Sequence, residues 1–268
     1  MRSSSNPAFR NLPTGGGYGG YAGFGQPEQA GYQQAPPPLT SERPMTIDDV
    51  VTKTGITLAV VAATAVVTYL MQAWFLLFPA AIIGLVLALI ITFKRMPSPP
   101  LVIAYAAVEG IFLGAFSGII GNMIDGMTNK PGQGVVVIGQ AIIGTIGVFA
   151  GMLVVYKTGA VRVTPKFTKW IVGALIGVGV LMLFNLIMSF FTDGGLGLRN
   201  GGPLAIIFSL VCIGLAAFSF LIDFDAADQA IRAGVPAKFA WQIAFGLTVT
   251  LVWLYTEILR LLSYFNSD

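Results

Sequence analysis

Seven stretches in which apolar residues occupy every helical face, rather than one stripe, run through the chain at 54–75, 78–93, 101–123, 134–156, 170–191, 203–222 and about 240–264. An element that is hydrophobic all round is at home in lipid. Most of these runs reach the ~20 residues that cross ~30 Å of hydrocarbon. The period-two alternation of an outer-membrane barrel strand is missing from them. The pattern therefore predicts an all-α polytopic membrane protein, a bundle of seven transmembrane helices. The second run is short and is parted from the first only by a few residues around Pro79. A tight or re-entrant hairpin is the alternative for that pair. The first helix has a recognisable start: Thr46 can cap the first turn, Asp49 three residues on completes a capping box, and Asp48 favours the positive dipole end.

Composition agrees with a lipid environment. Hydrophobic residues make up 55% of the 268 and charged residues 10%, against roughly 25% charged in a soluble domain. Residues 1–45, with GGGYGGYAGFG and QQAPPP, cannot bury enough apolar surface to offset ordering entropy and are predicted to be a disordered cytoplasmic tail. The membrane domain is 46–268. No apolar signal core precedes Met45, so the first span is expected to direct membrane insertion and the tail to be retained. Lys and Arg test the topology. Assigned to alternate sides, twelve fall with the tail and the loops after the second, fourth and sixth runs, and three (Lys130, Arg199 and Arg260) fall opposite. The asymmetry predicts a cytoplasmic N-terminus. The net charge of +3 is scattered between apolar spans and forms no patch for nucleic acid.

Small residues recur at four-residue spacing at Gly110, Gly114 and Gly118, at Gly147 and Gly151, and at Gly173 and Gly177. They are expected to let helices approach closely within one bundle.

Candidate chemistry is sparse. Histidine is absent and the single cysteine, Cys212, lies in an apolar run, so proton-linked chemistry falls to carboxylates. No nucleophile elbow, GxGD motif or phosphate-binding loop is present, which argues against an enzyme or an ATP-driven pump. Charges inside apolar runs need a partner or a purpose. Four acids qualify: Glu109, Asp223, Asp225 and Glu257. Asp223 shares a small-residue face with Cys212, Ala216 and Ser219, then Ala226 and Ala227. Asp225 shares a face with Phe218, Leu221 and Ile222, and its plainer reading is a solvated helix end beside an Asp228–Arg232 pair. Glu257 shares its face with Gly246, Thr250 and Trp253. A local pair with Arg260 is its structural reading. Glu109, on a face with Tyr105, Leu113 and Ser117, is read as a hydrogen-bonding acid or a second ion ligand.

From Met45 onward, MTIDDVVTKT, the order of spans, FLIDFDAADQAI and TVTLVWLYTEILRLLSYF resemble the Bax inhibitor-1 family of membrane proteins, in a bacterial branch that looks actinobacterial. The resemblance implies a seven-helix fold with the last helix surrounded by the other six. It also implies a calcium leak, gated by two acids on the sixth and seventh helices that share protons. The sixth-helix acid falls on Asp223 or Asp225 and the seventh on Glu257, a Glu where the family has Asp. The family's Arg in the second span has no counterpart; Lys94 and Arg95 stand at its end.

Physics is consistent with such a device. Two neighbouring carboxylates in a poorly solvated site cannot both ionise cheaply, and together they could hold Ca²⁺ weakly and transiently, far short of its ~6–8 oxygens. The leading expectation is a pH-sensitive cation leak of the bacterial plasma membrane, with Ca²⁺ as the favoured ion and no resident cofactor. The alternative is a membrane-embedded regulator that binds a membrane AAA protease, as a bacterial relative in that family is associated with doing.

Overall fold

The computed structural model describes residues 43–94, 98–192 and 194–266. The expected tail lies almost wholly outside them, as does Arg95. Seven helices follow in order: α1 (Ile47–Leu70), α2 (Leu77–Phe93), α3 (Pro99–Thr128), α4 (Gln133–Thr158), α5 (Pro165–Met188), α6 (Pro203–Arg232) and α7 (Ala240–Phe265). Each, with short 3₁₀ turns preceding α2 and α7, is long and apolar enough to cross a membrane. The α2 segment, Trp74–Phe93, spans 20 residues, long enough for a crossing of its own. Gln72, at φ 53°, turns the chain between α1 and α2.

The helices outrun the apolar stretches. α6 continues ten residues past Ile222, to Arg232, because hydropathy marks what lipid covers while backbone hydrogen bonding continues into water. Local chemistry sets several ends. Thr46 accepts from the Asp49 amide at 3.3 Å and Asp49 Oδ2 accepts from the Thr46 amide at 3.0 Å, the expected capping box. Thr164 caps α5 and Pro165 occupies its first turn, where a missing N–H costs nothing. Asp125, from α3, accepts from the Gly134 and Gly132 amides at 2.7 and 3.1 Å, satisfying free donors at the start of α4.

α7 is the axis of the bundle. Fourteen of its 26 residues are buried, and α1, α3, α4 and α6 pack on it. The other two helices are peripheral, α2 lying against α3 and α5 against α6. The last helix is central, as expected: four helices pack on it closely, and α2 and α5 reach it more lightly, through Ile91 beside Phe245 and through Val178 and Met182 beside Trp253. Of α5's 24 residues only Ile171 is buried. Contacts that rise together, Lys53–Ala237 and Thr57–Thr248 for α1 and Tyr105–Phe245 and Ser117–Tyr255 for α3, show these helices running with α7, whereas α6, with Asp223 at Thr250 and Cys212 near Trp253, runs against it. One end of the bundle consequently gathers Lys53, Lys94, Lys157, Lys166, Lys169 and Arg232, while Lys130 and Arg199 lie at the other.

The glycine ridges do not all do the same job. A Cβ on Gly110 or Gly114 would strike the α1 backbone at Val61 or Ala65, and one on Gly118 would strike the Trp74 ring. Gly134 meets Gly121 where α3 crosses α4. Gly147, Gly151, Gly173 and Gly177 face nothing within 4 Å. Close packing is therefore concentrated on α3, and the α4 and α5 ridges play no part in it.

Candidate functional site

The two acids of DFD point in different directions. Asp223 continues the face of Cys212, Ala216 and Ser219, which is buried, and so turns towards α7. Its Oδ2 accepts a hydrogen bond from Thr250 Oγ1 at 2.8 Å, and Gly246, one turn earlier on α7, leaves room beside it. A cavity of ≈ 280 Å³ adjoins Asp223, lined among others by Ala226, Ala230, Gln242 and Gly246. Among the described residues Asp223 has no ion-pair partner. Asp225 faces the α5 side, accepts from Gln229 at 2.6 Å and stands near Asp228. The Asp228–Arg232 pair forms at 2.9 Å. Only Asp223 addresses the central helix.

Glu257 is 1% exposed and belongs to a different constellation. Arg199, from the α5–α6 loop, grips it with both terminal nitrogens, Nη1 to Oε2 at 2.9 Å and Nη2 to Oε1 at 2.8 Å. This is the planar, two-bond geometry in which Arg–carboxylate pairs are strongest. Arg260, one turn along α7, reaches Oε1 only at 3.5 Å. The guanidiniums lie over aromatic rings, Arg199 over Phe208 and Arg260 over Phe116, each 5.3 Å from the centroid. The local Glu257–Arg260 pair is thus present but subordinate to a tertiary one. Arg199 reaches inward because its loop bends sharply, with Gly194, Gly195, Gly197 and Gly201 all at φ between 64° and 89°, a backbone region that favours glycine. Leu198 packs beside it against Phe208 and Cys212.

The expected carboxylate pair is therefore not assembled. Gly246, Thr250, Trp253 and Glu257 do share one face, and Asp223 meets that face at Thr250. Glu257 stands seven residues further along, about 10 Å of helix axis at 1.5 Å per residue. The cation that holds Glu257 comes from the α5–α6 loop. Glu109 lies between α3 and α2, where a Cβ on Gly84 would come within 2.8 Å of its Oε1; it faces neither acid. Two polar contacts to α7 carried no signal in the sequence. They are Ser117 with Tyr255 at 2.7 Å and Thr248 with Thr57 at 3.1 Å. Among the described residues no cluster of three or more metal-capable side chains gathers, so the chemistry at Asp223 is one carboxylate and one hydroxyl.

Seven membrane-length helices enclosing buried polar pairs define a multi-pass integral membrane protein. Over residues 6–267 the chain matches the family described as Bax inhibitor 1 like, and it belongs to that family. A search of curated proteins finds no match.

Proposed function

We propose that this protein is a pH-sensitive cation leak of a bacterial plasma membrane, with Asp223 as the titrating, cation-attracting group and its N-terminus in the cytoplasm. The observation that carries the reading is the placement of Asp223. It is a carboxylate within a membrane helix, turned to the central helix, held by one hydroxyl, free of an ion-pair partner among the described residues and bordered by a cavity. A charge in a membrane-spanning helix costs about 2.5–3.5 kcal/mol at the bilayer centre and less towards the end of a span, where Asp223 stands. Glu257 offsets that cost with Arg199; Asp223 has no such compensation, as befits a group that exchanges a proton or a cation for its function. The ionised carboxylate attracts a hard cation such as Ca²⁺. Protonation removes the attraction, so flux falls on acidification. With so few ligands the ion is held briefly, as conduction requires. The Arg199–Glu257 pair closes the far end of the bundle, and the chain performs no covalent chemistry in this reading.

The test is Ca²⁺ entry into proteoliposomes containing a trapped indicator, measured from pH 5 to 8. Wild type is expected to conduct with a pH dependence that Asp223→Asn abolishes, whereas Asp225→Asn retains it. Flux absent from wild type at every pH, or unchanged in Asp223→Asn, overturns the reading. Absence of flux together with recovery of a membrane protease on the purified chain would favour the regulatory alternative.

A further inference from the structure

The cytoplasm-assigned end carries a second feature, unconnected with Asp223. α5 leans on the bundle mainly along α6, and an open cleft of ≈ 560 Å³ runs between them. Its walls are mainly apolar, with Val163, Val172 and Ile176 among them, and its polar end presents Lys169, Asp225 and Gln229. Lys169 and Asp225 border the same space yet form no ion pair with each other. The neighbouring Trp170 is 80% exposed, as suits a ring at the level where lipid head groups meet hydrocarbon.

We propose that this cleft binds one phospholipid with a primary-ammonium head, of the phosphatidylethanolamine class, its acyl chain along Val172 and Ile176. The inventory of donors and acceptors selects this occupant. Lysine offers only donors and asks for a phosphate oxygen; an ionised aspartate offers only acceptors and asks for a donor. Asp225 has Gln229 as one donor, at 2.6 Å, and its remaining lone pairs suit an ammonium. A zwitterion carrying phosphate and –NH₃⁺ two carbons apart answers both at once. A choline head supplies no N–H to Asp225, and an anionic glycerol head brings no positive charge to it. The apolar face of a second copy would bring neither an acceptor to Lys169 nor a donor to Asp225. The wall is also wide enough for a chain, because Gly173 carries no side chain to narrow it and faces open space.

The experiment is lipid retention by the full chain. Delipidated protein in detergent is offered dioleoyl phosphatidylethanolamine, phosphatidylcholine or phosphatidylglycerol, and bound lipid is counted by native mass spectrometry. Wild type is expected to prefer the ethanolamine lipid over choline roughly tenfold, the scale of one good charge-assisted hydrogen bond. Asp225→Asn should erase that preference. Lys169→Gln should lower retention of all three lipids, and Lys169→Arg should restore it. Ile176→Trp, which leaves both charges in place and fills the apolar wall, should also expel the lipid. Lys166→Gln, one turn away and outside the cleft, should change nothing. Equal retention of ethanolamine and choline lipids by wild type overturns the proposal. So does glycerol-lipid retention that dominates and ignores Asp225→Asn, which would mean a basic surface alone. Disulfide-linked dimers of Gly173→Cys in bilayers, with no lipid retained, would assign the cleft to a second copy and overturn it as well.

Discussion

Glu257 shows how one side chain can be structurally expensive and still stabilise the fold. Its two oxygens face two guanidiniums, one of which holds it at 2.8 and 2.9 Å. Removing the carboxylate leaves Arg199 and Arg260, both partly exposed, without an anion, a change that costs about 3–5 kcal/mol where the pair is fully buried and less here. Glu257→Gln should therefore lower the thermal midpoint in detergent markedly. The double variant Glu257→Leu with Arg199→Met should recover part of the loss, since apolar replacement of a whole buried pair is tolerated far better than breaking it. A Glu257→Gln midpoint within a degree of wild type would rule out that role. Asp223→Asn should behave oppositely, being neutral or mildly stabilising, because no cation among the described residues depends on it. The sequence made these acids conspicuous, and it placed Glu257, Thr250 and Gly246 on one face correctly. It could not set the level at which α6 meets α7, because a shared face says nothing of axial offset. Nor could it disclose Arg199 as a partner. That residue sits in a Gly-rich loop with no periodicity, and its tertiary contact spans 58 positions.

At the scale of elements, hydropathy located every crossing and misjudged their ends, since it senses lipid rather than the hydrogen bonds that continue α6 to Arg232. Small-residue spacing was legible, but its use was not. The same four-residue repeat packs α3 against α1 and leaves α4 and α5 bare. This difference gives a direct comparison. Gly114→Leu should destabilise the protein strongly, because the side chain would drive into the α1 backbone at Ala65, and overpacking of this kind costs about 1–3 kcal/mol or more. Gly147→Leu on α4, facing nothing within 4 Å, should change the melting midpoint little. Matching losses in both variants would show that the α4 ridge also packs against something.

For the whole molecule, the accumulation of Lys and Arg at one end gives an orientation that can be measured. Cysteines introduced one at a time at Lys130 and Lys166 should be labelled from opposite faces of the membrane by an impermeant maleimide. The buried native Cys212 should contribute little background. Lys166 alone labelled from the outside would reverse the proposed topology, and both labelled from the outside would overturn the crossing by α4 between them.

The central position of α7 also bears on how the molecule is made. A chain emerges from the ribosome N-terminus first, so the helix on which four others pack arrives after all of them. Until it does, Arg199 stands in its loop with no carboxylate to receive it. Insertion of α7 then supplies the core and the anion in one step. A nascent protein without α7 would carry an orphaned guanidinium, a mark by which cellular quality control could tell an unfinished bundle from a finished one.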